Sequence, residues 1–262
     1  MVIIPQDIID EISDHIAVDT DLSGTLQPGA LKSLRACSLV SKSWTRSSRR
    51  HLFRTVVFAS KYMDRWLEMF PVLEDSPARH VRELRIWTGG TDCVPEDLFQ
   101  HTHWFSNVEK MSLIGYGGTP PLRRPSLWRL PQSITFLFVN TNAITLLQLR
   151  DIMAQLPNVD DLTLLGFLAP ADRTGLLGIG SVLRGNFGGK LSLCSEYEHD
   201  PKDLVDMLLE IPTGLHFTEA WIYYRREYLP STLRLVGACC KTLVKLSHKV
   251  ASHGKSPQSD RP

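Results

Sequence analysis

A chain of 262 residues with 29 basic and 28 acidic side chains has no overall electrostatic bias toward nucleic acid or an anionic membrane, so any such surface must be local. Its hydrophobic fraction of 43% and charged fraction of 22% are those of an ordinary globular protein, long enough for one large domain or two smaller ones. Five cysteines (Cys37, Cys93, Cys194, Cys239, Cys240) show no Cys-x-x-Cys spacing, which argues against a zinc site or disulfide framework and for small buried residues in a reducing compartment.

The first residues, Met1 to Asp7, carry no positive leader and no sustained apolar run. No later run reaches the roughly 18 apolar residues of a spanning helix. The expectation is a cytoplasmic or nuclear protein with no membrane partner.

Pro5 fits the first turn of a helix, where a missing N–H costs nothing. Ile8, Ile9, Ile12 and Ile16 come next at helical spacing, with Asp7, Asp10, Glu11 and Asp14 elsewhere around the cylinder. These carboxylates suit the helix dipole and read as a solvated face rather than a general acid/base pair. Ala17 to Gly29 is punctuated by Asp, Thr, Ser, Gly and Pro and reads as a loop. The apolar pattern resumes from about Ala30 with Leu31, Leu34, Leu39, Val40 and Trp44. Ser41 or Ser43 interrupts it and caps a further helix through about Leu52. Phe53 to Phe58 is a β-branched run that reads as the first strand of a second domain. Three short helices with this much apolar surface cannot bury it among themselves and need a partner or an adjoining domain.

Ile4-Pro5 before an Ile-rich acidic helix, then Leu34-x-x-Cys-Ser-Leu-Val-Ser-Lys-Ser-Trp44, then Leu52-Phe53-Arg54, resembles an F-box. The likeness is greatest to the F-box proteins of mushroom-forming fungi. It covers about a fifth of the chain, with Ile4-Pro5 where the family has Leu-Pro and Val40-Ser-Lys-Ser-Trp44 where it has Val-Cys-Lys-x-Trp. The segment from Val18 to Gly29 is longer than the family's usual link. The resemblance implies docking onto the Skp-type adaptor of an SCF (cullin–RING) ubiquitin ligase. Ile4, Pro5, Ile8, Ile12, Leu39, Val40 and Trp44 would form the adaptor-binding set.

Two other readings compete for this head. Lys42, Arg46, Arg49, Arg50, His51 and Arg54 make a basic cluster after a helix-turn-helix-like pattern, as in a DNA-binding regulator. A recognition helix presents polar and basic side chains to the groove, whereas Leu39, Val40 and Trp44 suit packing, so nucleic acid is not the expected partner. The plainer alternative is that the helices merely cap the domain behind them.

Beyond the head the chain repeats itself. Val81-x-x-Leu84-x-Ile86, Val108-x-x-Met111-x-Leu113, Ile134-x-x-Leu137-x-Val139 and Val159-x-x-Leu162-x-Leu164 align, with degenerate copies at Leu191-x-Leu193, Phe217-x-x-Ala220-x-Ile222 and Leu243-x-x-Leu246. The spacing of roughly 25–29 residues is that of leucine-rich repeats. Asn142 falls at the repeat's asparagine position, which elsewhere holds Gly89, Tyr116, Phe167, Glu196 and Arg225, so the resemblance is to an irregular member of that class. Helical patterns over Pro95–Phe105, Thr145–Leu156, Gly175–Phe187, Pro201–Leu209 and Pro230–Thr242 separate the triplets. The expected fold is α/β: a three-helix F-box over residues 1–58, then an irregular solenoid of parallel strands and outer helices over 59–249, then a disordered tail over 250–262. An irregular α/β domain is the structural alternative.

Strand alternation turns the residues between the apolar pairs to the other sheet face. These are Glu83, Arg85 and Trp87; Lys110, Ser112 and Ile114; Phe136 and Phe138; Asp161 and Thr163; Glu219, Trp221 and Tyr223. Aromatic and arginine side chains are the usual anchors of protein recognition. Arg85, Trp87, Phe136, Phe138, Trp221 and Tyr223 are therefore the candidate substrate-binding set.

Other motifs carry no chemistry. Gly178-x-Gly180, Gly185 and the Gly188-Gly189 pair lack nucleotide-loop spacing and read as loop or helix-end glycines. His101-x-His103 has no third ligand nearby, and Cys239-Cys240 reads as core. No nucleophile elbow is present. The expected function is that of a non-catalytic substrate-recognition subunit, without cofactor or metal, holding an unidentified client protein near the ligase. A scaffold acting outside a ligase is the alternative.

Overall fold

The computed structural model describes residues 4–20, 26–88, 102–115, 129–140, 144–166, 182–194 and 201–251. Three helices open the chain: α1 (Gln6–Ala17), α2 (Pro28–Ser38) and α3 (Lys42–Leu52). Strand β1 (Thr55–Ala59) and α4 (Ser60–Met69) come next, then β2 (Glu83–Thr88), β3 (Lys110–Gly115), β4 (Phe136–Asn140) and α5 (Leu146–Met153). The chain continues through β5 (Asp161–Leu165), β6 (Phe187–Cys194), α6 (Lys202–Leu209), β7 (Leu215–Arg225), α7 (Leu229–Cys239) and β8 (Lys245–Ala251).

All eight strands form one parallel sheet whose spatial order is the order of the sequence. Parallel neighbours need a crossover between them, and the helices supply part of it. The aligned apolar pairs lie in register: Leu84 beside Met111, Met111 beside Leu137, Leu137 beside Leu162, Leu162 beside Leu191, Leu191 beside Ala220. The second row runs Phe58, Ile86, Leu113, Val139, Leu164, Leu193, Ile222. Both rows are buried and join Leu149, Ile152, Leu204, Val205, Leu208 and Leu235 of the helices in one core. Each such side chain contributes about 1.5–3 kcal/mol on leaving water, and no single unit has enough of them to fold alone.

The register also shows where the repetition begins. Val56 pairs with Leu84 and Phe58 with Ile86, so Phe53-x-x-Val56-x-Phe58 is a further copy of the triplet. The helical head thus runs into the sheet without a linker. Trp66 of α4 seals this end, with Phe58 at 5.6 Å, Phe105 at 5.8 Å, Phe70 at 5.1 Å and Phe53 at 6.1 Å between ring centroids.

A second periodic feature is polar. Asn107 Nδ2 donates to the Arg79 carbonyl at 2.8 Å, Ser133 Oγ to that of Val108 at 2.7 Å, Thr213 Oγ1 to that of Gly185 at 2.9 Å and Thr242 Oγ1 to that of Phe217 at 3.0 Å. Each bond reaches back about one repeat and satisfies a carbonyl near a strand entrance.

Several expectations change. Phe187 opens β6 rather than closing a helix, and Gly188 and Gly189 lie inside that strand at a register shift. Val250 and Ala251 complete β8 instead of starting the tail. Cys239 is buried but Cys240 is exposed. Pro5 stands one residue ahead of α1, with ψ 148°, as its N-cap. Asn142, Gly89, Tyr116, Phe167, Glu196, His101, Cys93, Gly178, Gly180, most of the helical patterns over 95–105 and 175–187, and residues 252–262 lie outside the described residues.

Candidate interaction surfaces

The head is held together by a narrow seam. Ile9, Ala30 and Leu34 are its buried apolar side chains, and Ser13, Ser47 and Ser48 are buried where α1 meets α3. Small side chains there let the two helices approach closely. Gln6 Nε2 donates at 2.9 Å to both Asp10 Oδ1 and Ser47 Oγ, and Ser47 also donates to Asp10. Those bonds, from Ser47 first and Gln6 next, hold the Asp10 carboxyl below the ordinary carboxylate range. Asp14 contacts Arg50 and lies 2.8 Å from His51 Nε2, so part of the basic cluster of α3 is engaged within the head.

With Ile9 taking the seam, the rest of the α1 stripe splits. Ile4, Pro5, Ile8 and Ile12 are exposed, and Ile16 is half-buried. Leu39 and Val40 are not helical packing residues. They form the turn between α2 and α3, where Leu39 is 86% and Val40 68% exposed. The turn is fixed by bonds from the Leu39 N–H to the Ala36 carbonyl and from the Val40 N–H to that of Cys37. Thr45 Oγ1 donates to the Ser38 carbonyl at 2.6 Å and locks the start of α3 against it. Ser41 is the N-cap of α3 by position, yet its side chain makes no capping bond. Trp44 is half-buried.

The second surface is the sheet face opposite the core. One row across it reads Glu83, Lys110, Phe136, Asp161, Lys190, Glu219, Lys245. The next reads Arg85, Ser112, Phe138, Thr163, Ser192, Trp221, Ser247, and the third carries Trp87, Ile114, Asn140, Leu165, Cys194, Tyr223 and Lys249. Strands lie about 4.8 Å apart, so these rows are continuous but long.

The six aromatic and arginine candidates therefore divide by strand. Arg85 Nε donates to Glu83 Oε1 at 2.7 Å, and Trp87 is exposed at the end of β2. Phe136 and Phe138 share β4, both half-buried, with Lys110 Nζ 5.8 Å from the Phe136 ring centre. Three strands further on, Trp221 and Tyr223 stack with ring centroids 6.4 Å apart and planes at 10°. The structure brings this last pair together and does not bring Arg85 or Trp87 to it.

Residues outside that candidate set complete the region around Trp221. A pocket of about 250 Å³ is lined by Lys190, Ser192, Glu219, Trp221, Lys245 and Ser247. Lys249 Nζ lies 5.6 Å from the centre of the Tyr223 ring. Lys245 Nζ lies 3.6 Å from Glu219 Oε2. The signal for them is the polar alternation Lys190-x-Ser192 and Lys245-x-Ser247-x-Lys249, hidden in the two least regular repeats. Asp161 in the same charged row has Oδ1 buried without a hydrogen-bond partner among the described residues. Burial raises its pKa despite the attraction of Lys190.

Among the described residues no group of three His, Cys, Asp or Glu side chains is placed to hold a metal, and no helix is long and apolar enough to cross a membrane. No family model matches the chain, and no curated protein matches it.

Proposed function

We propose that the chain is the substrate-recognition subunit of an SCF-type ubiquitin ligase, non-catalytic, with an F-box head and an irregular leucine-rich-repeat-like solenoid behind it. The observation that carries this reading is the exposure of Leu39, Val40, Ile4, Ile8 and Ile12 on a head whose core, among the described residues, has three buried apolar side chains. A large apolar set left in water marks a partner surface. It coincides with the residues through which the F-box resemblance would dock a Skp-type adaptor. The sequential order of the parallel strands, at the repeat spacing of the triplets, supports the solenoid reading. On this account residues 1–58 bind the adaptor, 59–249 hold a client, and the protein works in the cytosol or nucleus. The client is held beside the charged ubiquitin enzyme, and the rate gain is one of effective concentration.

The test is co-purification of the full chain with a Skp-type adaptor, beside Leu39→Asp and Trp44→Ala variants. Truncating an interface anchor costs about 2 kcal/mol or more, so capture should fall at least tenfold while the melting curve stays put. No capture of the wild-type chain would sink the reading.

A further inference from the structure

The sheet face is not electrically uniform. Toward β1 the charges are paired closely: Glu83 is bonded to Arg85, with Lys110 beside Glu83 on the next strand. Toward β8 they do not cancel. On β6, β7 and β8, Lys190, Lys245 and Lys249 stand against Glu219, with Asp161 of β5 beside Lys190 and Arg225 pairing with Glu227, so the lysines remain in excess. Lys190 has the Asp161 carboxylate beside it in the row but no ion pair within 4 Å among the described residues, and Lys249 Nζ lies over the Tyr223 ring. The Lys245–Glu219 contact is long and solvent-exposed, so it is readily exchanged for another carboxylate. Within this basic rim sit the exposed Trp221, the half-buried Tyr223 stacked on it, and the pocket beside them.

We propose that this end of the sheet binds an acidic peptide segment of a partner protein, with a flat or apolar side chain of that segment against Trp221 and its carboxylates on Lys190, Lys245 and Lys249. Charge complementarity sets the sign of the partner, and the aromatic pair supplies the anchor. A nucleic acid fits less well. Its unbroken phosphate line would have to cross Glu219 and, one strand beyond Lys190, Asp161. The proposal rests on reading this sheet face as the client surface, and it narrows the client to a segment rich in Asp and Glu.

The experiment is fluorescence anisotropy with the full chain and a labelled glutamate-rich peptide carrying one central phenylalanine. The same peptide with glutamine for glutamate, and a single-stranded DNA oligonucleotide, are run beside it. The glutamate peptide should bind, weaken with added salt, and weaken about tenfold in Lys245→Glu and in Trp221→Ala. The glutamine peptide should not bind measurably. Absence of binding, equal binding of the glutamine peptide, or unchanged affinity in both variants would overturn the proposal. Tighter binding of DNA than of the acidic peptide, lost in Lys245→Glu, would overturn it in favour of a nucleic-acid face. Lys245→Glu leaves the head untouched, so adaptor capture by that variant separates failure here from failure of the ligase reading.

Discussion

A methyl group on Gly189 would lie 2.1 Å from the carbonyl oxygen of Asp160, and Gly189 has φ +66°. Only glycine meets both conditions. The same carbonyl accepts the Lys190 N–H at 2.6 Å, which resumes the ladder after the register shift in β6. Gly189→Ala is therefore expected to cost about 3 kcal/mol or more, from the left-handed backbone and the clash together. Gly237→Ala, on α7 with open space around it, should be neutral or slightly stabilising. Urea denaturation of the two variants checks the contrast.

Trp66 touches four aromatic rings at the junction of head and sheet, and its Nε1–H is buried without an acceptor among the described residues. Trp66→Ala should lose about 3–5 kcal/mol. Trp66→Phe should lose less than half as much, because it keeps ring contacts and removes an unpaired donor. Equal losses in the two variants would mean that the indole nitrogen is satisfied in solution.

Leu34 and Leu39 sit five residues apart in sequence and at opposite extremes of burial, fully buried against 86% exposed. Leu34→Ala should destabilise by about 2–5 kcal/mol, whereas Leu39→Ala should change stability by no more than about 0.5 kcal/mol. Thermal melts read both directly. A large loss from Leu39→Ala would place that side chain in the core.

His51 on α3 and His80 in the 3-10 turn Pro77–His80 both have lowered pKa values. Burial is the main cause for each, and nearby arginines add to it: Arg50 for His51, Arg79 and Arg49 for His80. A folded-state pKa below the unfolded value of 6.5 means that the unfolded chain binds protons more readily. The stabilising contribution is present above that value and is lost as pH falls through the lower folded values. The melting temperature should therefore drop between about pH 7 and pH 5, and less steeply in a His51→Gln, His80→Gln double variant. An identical drop in that variant would assign the acid sensitivity to other groups.

The strands are legible in the sequence because their signal is local. The apolar pairs repeat at fixed spacing, and alternation alone turns Glu83, Arg85 and Trp221 away from the core, as the structure has them. The polar rungs from Asn107, Ser133 and Thr242 are as regular, each immediately before a triplet, but one sequence does not say that a side-chain amide or hydroxyl reaches a carbonyl a repeat away. The Gly188-Gly189 pair misleads for a related reason. Glycines usually mark loops, and only the approach of Asp160 shows why a strand needs one here.

The sequence by itself determined the three helices of the head, the apolar set in it and the parallel repeats, since periodicity and local propensity encode each of these. Only the tertiary structure decided which apolar residues stay in water. Ile8, Ile9 and Ile12 have the same chemistry, and the packing of α1 on α2 and α3 buries one and leaves two exposed. Likewise, stacking of β6, β7 and β8 in register is what sets Lys190, Lys245 and Lys249 around Trp221 and Tyr223. Burial and long-range juxtaposition depend on how elements pack, and packing is a property of the whole chain rather than of any window within it.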